Sequence, residues 1–291
     1  MLAGLFFYFD GRDFLPEKLN LTPLGETPEK IIENKKISSF IYQLQNIDYK
    51  TLYSNNFDLA VIDWEEAGLS QSQLSDLQKQ GKKIVSYLSI GEAENYRDYW
   101  QNWDTNPPPF LEKENPDWKG NYKIKFWEPA WQKIILDKID KIVAAGYDGV
   151  YLDIIDAYYY FEEQGRSTAR EEMIDFVAKI SEEAKTENPN FLIIPQNSPE
   201  LVGSEKYLSA IDGLGKEDTW YNDDEAKDEK EIESDLAYLK KVVQAGKFVL
   251  AIDYPTTRNK QCDFINKALS NGFVPFVSSR ELDKIEVISC N

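Results

Sequence analysis

Short apolar runs of strand-forming residues recur along this chain at 38–44, 59–63, 83–90, 149–153, 191–195, 210–214, 247–252 and 273–277, with longer helix-patterned stretches between them. Such alternation is the signature of βα units and a largely parallel sheet. The clearest helix is expected over 129–145, where Ile134, Ile135, Ile139, Ile142 and Val143 share one face and Gly146 supplies a normal stop. Further helices are expected at 71–80, 170–186 and 231–245, the first and last closed by Gly81 and Gly246. Eight strands with intervening helices argue for closure into an α/β (β/α)₈ TIM barrel. An open doubly wound sheet is the competitor, but neither its Gly-x-Gly-x-x-Gly turn nor a P-loop is present.

At 291 residues the chain fits a single barrel domain. Residues 1–37 read as an N-terminal extension and 38–291 as the barrel. The opening apolar run lacks a basic region and meets Asp10 and Arg12 too soon for a signal peptide, and no later segment reaches membrane-spanning length. The connection over 91–127 is unusually long; its aromatic content argues for an ordered, functional loop.

Composition narrows the chemistry. Histidine is absent, which excludes a Ser-His-Asp triad, a Cys-His dyad and any histidine-based zinc site. With 51 Asp plus Glu against 33 Lys plus Arg, the formal charge of -18 repels phosphate backbones and anionic membranes, so no nucleic-acid partner is expected. A neutral or cationic ligand is tolerated, although the charge also serves solubility. Cys262 and Cys290 are read as two unpaired thiols, a disulfide being the alternative that suits an exported protein. A monomer is expected, with no cofactor and no metal.

The C-terminal ends of barrel strands and the loops after them build the active site. Nearly every strand here ends in polar groups: Gln43 and Gln45, Asp63, Glu92, Asp153 and Asp156, Gln196 and Asn197, Lys216 and Glu217, Asp253 and Tyr254, Arg280 and Glu281. Each alone is explained by helix capping or surface charge, as for Asp63, Asp76 and Asp253. A ring of carboxylates and amides at one mouth points instead to glycoside hydrolysis, for which two carboxyl groups suffice without histidine or metal. Trp100, Trp103, Trp118, Trp127 and Trp131 cluster around the long third loop, where they either stack on sugar rings or pin the loop to the barrel. The same two readings apply to Tyr158, Tyr159 and Tyr160.

An ordered set of motifs sharpens this. It comprises Tyr42-Gln-Leu-Gln45; Tyr87-Leu-Ser-Ile-Gly-Glu-Ala-Glu94 with Arg97; Gly146-Tyr-Asp-Gly-Val-Tyr-Leu-Asp-Ile-Ile-Asp156; Pro195-Gln-Asn197; Glu217 with Trp220; Asp253-Tyr254; and Arg280-Glu-Leu282. Over roughly 38–285 the chain resembles glycoside hydrolase family 114, the endo-α-1,4-polygalactosaminidase-like barrels. The resemblance implies an exported or cell-surface enzyme cleaving an α-linked, galactosamine-containing polysaccharide. It also implies Asp153 as nucleophile and Glu217 as general acid/base. Ile154 follows Asp153 where the family pattern resembles Asp-Asn-x-x-Asp, which keeps Asp156 as a second candidate nucleophile.

A retaining mechanism is expected, with Asp63, Glu92, Asn197, Trp220, Asp253, Tyr254, Gln43 and Arg280 as substrate-binding candidates. Retention calls for carboxyls about 5–5.5 Å apart and inversion for about 6.5–9.5 Å. Two other function classes stay open. One is a non-catalytic carbohydrate-binding barrel. The other is a Schiff-base lyase using Lys216, against which a salt-bridging lysine is the favoured reading, since Lys216 adjoins Glu217 and Asp218.

Overall fold

The computed structural model describes residues 36–285 together with 288 and 290. The extension expected over 1–37 lies, apart from Lys36 and Ile37, outside them. Contacts within the chain define one compact unit over 37–291.

Eight parallel strands form the barrel: β1 (Phe40–Gln43), β2 (Leu59–Asp63), β3 (Lys83–Ser89), β4 (Gly149–Asp153), β5 (Leu192–Pro195), β6 (Gly213–Glu217), β7 (Phe248–Asp253) and β8 (Val274–Val277). Strands β1 to β5 pair in sequence order as one arc, and β6, β7 and β8 as a second. A single parallel bridge between Gln196 and Gly215 joins the arcs on one side. On the other, the Phe40 and Phe276 rings meet at 5.4 Å and the Leu44 amide donates to the Leu282 carbonyl at 2.8 Å.

Seven strands lie within two residues of their sequence-based positions; the sixth is displaced by three. It was expected at 210–214, yet Glu205–Ala210 is a helix and the strand runs over Gly-Leu-Gly-Lys-Glu. Strand geometry explains this unpromising sequence. Alternate residues of β6 face the barrel axis, and a Cβ on Gly215 would overlap the hydroxyl of Tyr151. That ring, fully buried and 5.2 Å from the Tyr42 ring, fills the interior at this level. The glycine is the cavity into which Tyr151 fits.

The outer helices follow their local signals. Pro129 opens the helix Pro129–Ala145 and Gly146 ends it at φ 93°. Ser70 and Gln73 form a reciprocal capping box at the start of Gln71–Lys79, worth about 1 kcal/mol. Apolar faces such as Ile135, Ile139 and Ile142, or Met173, Phe176, Val177 and Ile180 of Ala169–Glu187, are fully buried. Each such side chain contributes about 1.5–3 kcal/mol against an exposed one. The helix Arg258–Ser270 had no sequence expectation. Among the described residues no helix is long and apolar enough to cross a membrane.

The long third connection is ordered. Its strands Glu92–Glu94, Leu111–Glu114 and Asn121–Ile124 make an antiparallel sheet beside the barrel mouth. Tryptophans anchor it: Trp131 is fully buried, donates to the Ile90 carbonyl at 2.9 Å and joins a ring cluster with Tyr99, Trp103 and Phe110.

Cys262 and Cys290 are bonded, which corrects the expectation of unpaired thiols. Helix Arg258–Ser270 and the C-terminal tail bring their Cα atoms to 5.5 Å, within disulfide reach. Spacing in sequence carried no information on that approach.

Candidate active site

A cleft of about 590 Å³ opens at the C-terminal ends of the strands. Of the residues expected to form the site, Asp153, Glu217, Asp156, Asp63, Asn197, Tyr254 and Arg280 line it.

Asp153 ends β4 and Glu217 ends β6. The Tyr87 hydroxyl and the Ile154 amide donate to Asp153 at 2.7 and 2.8 Å. The Tyr254 hydroxyl donates to Glu217 Oε1, and Asn197 Oδ1 accepts from the Glu217 amide at 3.1 Å. Both carboxyls open to the cleft while protein crowds them on every other side. Burial, followed by the charge of Glu217, pushes the Asp153 carboxyl up to about 8 against the pull of its two donors. Burial likewise raises Glu217 against the Tyr254 hydrogen bond. Each phenol, made hard to ionise by its own burial and by the carboxylate beside it, remains a donor. Both shifts favour the protonated form, so a carboxyl of this pair, Asp153 above all, can keep its proton near neutral pH.

The backbone around this pair is unusual. Ile154 has φ 58°, a left-handed conformation that is an outlier for a β-branched residue. Asn197, Ser198 and Asp218, after β5 and β6, also have positive φ. Such conformations, costing about 1–3 kcal/mol where a side chain resists them, cluster where surrounding structure holds them for function. Gly91 accommodates the Ile154 turn, since a Cβ there would overlap the Ile154 carbonyl oxygen.

Asp63 belongs to a different arrangement. Its carboxylate caps the short helix Trp64–Ala67 and receives both terminal nitrogens of Arg97, at 3.0 and 2.7 Å. The same guanidinium reaches Glu94 through Nε at 2.7 Å and Glu65 at 3.2 Å. Arg280 is positional in the same sense: it binds Asp218 at 2.9 Å and Asp223 at 2.7 Å, and covers the Tyr254 ring at 4.6 Å. Asp156 is exposed within the cleft and caps nothing with its side chain.

Four expected residues do not line the cleft. Asp253 is fully buried and accepts the backbone amides of Thr219, Trp220 and Tyr221 at 2.7, 2.9 and 2.9 Å, so it clamps the loop after β6. Trp220 packs against Phe264 and Phe273. Glu92 is buried and accepts from Asn115 at 2.9 Å. Gln43 spends its amide on the carbonyls of Gln45, Asn46 and Asp283. Lys216 takes the opposite face of β6 from the Glu217 carboxyl, as alternation requires, and its ammonium donates to the Glu217 backbone carbonyl at 2.5 Å and pairs with Asp235 at 3.3 Å. Of the five tryptophans only Trp118 reaches the cleft; Tyr158, Tyr159 and Tyr160 lie outside it, the first two bonded to Glu200.

The cleft also gathers Tyr42, Tyr87, Glu94, Tyr96, Arg97 and Gln196. Inward alternation from Asp153 back to Tyr151, and the polar ends of β1 and β3, were the available signal for these tyrosines.

Comparison with known proteins agrees with this architecture. The chain is 39% identical to an uncharacterized protein of Methanocaldococcus jannaschii, covering 98% of this chain and 90% of that one. It is 34% identical to an uncharacterized protein of Thermotoga maritima, covering 86% and 84%. The glycoside hydrolase domain of PelA from Pseudomonas aeruginosa shares the fold with a TM-score of 0.72 at 21% identity, over 87% of this chain and 99% of that one. Aspergillus fumigatus Ega3, solved in complex with galactosamine, gives 0.68 at 20% identity, over 84% and 92%. The family model for glycoside-hydrolase family GH114 matches residues 23–291. An α/β barrel with a carboxyl-lined mouth, matched by that model over nearly its whole length, belongs to glycoside-hydrolase family GH114.

Proposed function

We propose that this protein hydrolyses an α-linked, galactosamine-containing polysaccharide, with Asp153 and Glu217 as the reacting pair. The observation that carries the proposal is the pair itself: two crowded carboxyls at one cleft, each held by a phenol hydroxyl and each pushed up by burial. Glu217 protonates the leaving glycosidic oxygen while Asp153 attacks the anomeric carbon. The sugar's developing positive charge favours the ionised form of Asp153, while burial favours the protonated form of Glu217. Water then attacks the anomeric carbon from the opposite face and displaces the Asp153 carboxylate, Glu217 accepting the water's proton. Asp156 is the second candidate nucleophile.

The galactosamine assignment is supported by the sugar bound to Ega3 and by the acidic cleft, where the exposed Glu66 and Glu281 suit an ammonium-bearing sugar. An extracytoplasmic setting is supported by the Cys262–Cys290 disulfide. The test is incubation with α-1,4-linked galactosamine oligosaccharides, following the new anomeric proton by NMR before mutarotation. An α-anomer as first product is expected; a β-anomer overturns the retaining mechanism, and no cleavage overturns the substrate.

A further inference from the structure

We infer that Tyr96 and Trp118, carried on the third loop and not on the strands that bear the reacting carboxyls, form an aromatic subsite that holds a further sugar of a long chain and makes the enzyme favour polymers over short fragments. The inference rests on the polysaccharide reading above.

Large aromatic side chains are normally covered, and those left open to solvent at a groove mark surfaces that bind something. Among the described residues, five large hydrophobic side chains are exposed, and Tyr96 at 65% and Trp118 at 59% are the two most open. Both line the same cleft. Neither ring belongs to the cluster of Tyr99, Trp103, Phe110 and Trp131 that anchors the third loop.

Both rings are also presented on rigid backbone. The tip carrying Trp118 is tied by the Asn121 amide to the Trp118 carbonyl at 3.1 Å, the Asn115 amide to the Asn121 carbonyl at 2.7 Å, and the Gly120 amide to Glu114 at 2.8 Å. The Asn95 amide donates to the Gly120 carbonyl at 2.8 Å, which places the Tyr96 turn beside the Trp118 tip. Tyr96 is oriented by its hydroxyl bond to Glu94 at 2.5 Å and by Arg97, 5.0 Å from its ring centroid. A ring carried on a tied backbone loses less entropy on binding a flat apolar face than one on a loose loop, and a protonated amino sugar adds attraction to the ring faces. The ligand class is therefore a pyranose ring whose amine is protonated at neutral pH, belonging to the same chain that crosses the carboxyls.

The experiment is a ladder of α-1,4-linked galactosamine oligosaccharides of increasing length, cleaved by wild type, Trp118→Ala, Tyr96→Ala and Trp118→Phe, with thermal melting as a fold check. For the alanine variants, kcat/KM is expected to fall about tenfold on the longest members, less than threefold on the shortest. The phenylalanine variant should lie between. Equal loss at every length, or no loss at any, overturns the subsite. Calorimetric binding of the same ladder separates this from a wrong reaction. If wild type binds without cleaving, the hydrolytic reading fails while length-dependent binding still decides the subsite. If it does not bind at all, both fall.

Discussion

Two sectors of one cleft carry the same functional group in opposite company. After β2 and β3, Asp63 and Glu94 converge on the buried guanidinium of Arg97. After β4 and β6, Asp153 and Glu217 have no ion pair among the described residues and meet phenols and backbone amides instead. The first sector is a salt-bridged scaffold. The second is crowded by protein yet lacks a cation, so its protons can be held and released near neutral pH, which is what acid–base chemistry needs. Residue type does not separate the two; partners do.

The largest effect that can break this contrast is on rate. Glu217→Gln is expected to lower kcat by about 10³-fold or more while the melting temperature stays within a few degrees. A variant that retains activity would remove Glu217 from the chemistry. Arg97→Met should act on the other quantity: it leaves Asp63 and Glu94 without their counter-charge and should cost about 3–5 kcal/mol in urea unfolding. A loss below about 1 kcal/mol would mean that water already screens the first sector.

Asp153→Asn sharpens the contrast by moving stability the other way. Its carboxyl binds a proton more tightly folded than unfolded, so its contribution to stability is complete below about pH 4 and is lost as pH rises toward about 8. An uncharged amide escapes that loss. The variant should therefore gain about 1–2 kcal/mol at pH 8, discounted because the group opens to the cleft, and nothing near pH 4. The smallest effect is on the pH profile. Wild-type kcat/KM should fall above about pH 8 as the pair loses its last proton. Tyr87→Phe, which removes a donor favouring ionised Asp153, should move that limb upward by less than about one unit.

The barrel was legible because seven of its strands are buried on both faces and read as apolar runs. β6 was not, because Gly213 and Gly215 leave room for neighbouring side chains instead of filling space themselves. The carboxyl positions were legible for the same geometric reason: strand ends deliver them to one mouth. What could not be read was direction. Asp253 and Tyr254 are adjacent, yet one turns inward to grip three amides and the other reaches Glu217. Nor does spacing disclose that Arg97 serves Asp63, 34 residues earlier in the chain. The tryptophan cluster held both readings at once, with Trp131 buried beneath the loop and Trp118 standing in the cleft.

The seam between the two arcs has a kinetic meaning. Asp153 belongs to the five-stranded arc and Glu217 to the three-stranded one, and on that side one ladder bridge and a few hydrogen bonds, the Glu217 amide to Asn197 among them, span the gap. Any breathing of the seam is a fluctuation in the span between the two carboxyls. The Asn197 amide, bonded to the Gly215 carbonyl across that seam at 2.8 Å, is the clock for it: its hydrogen-exchange rate reports how often the two halves of the site part company.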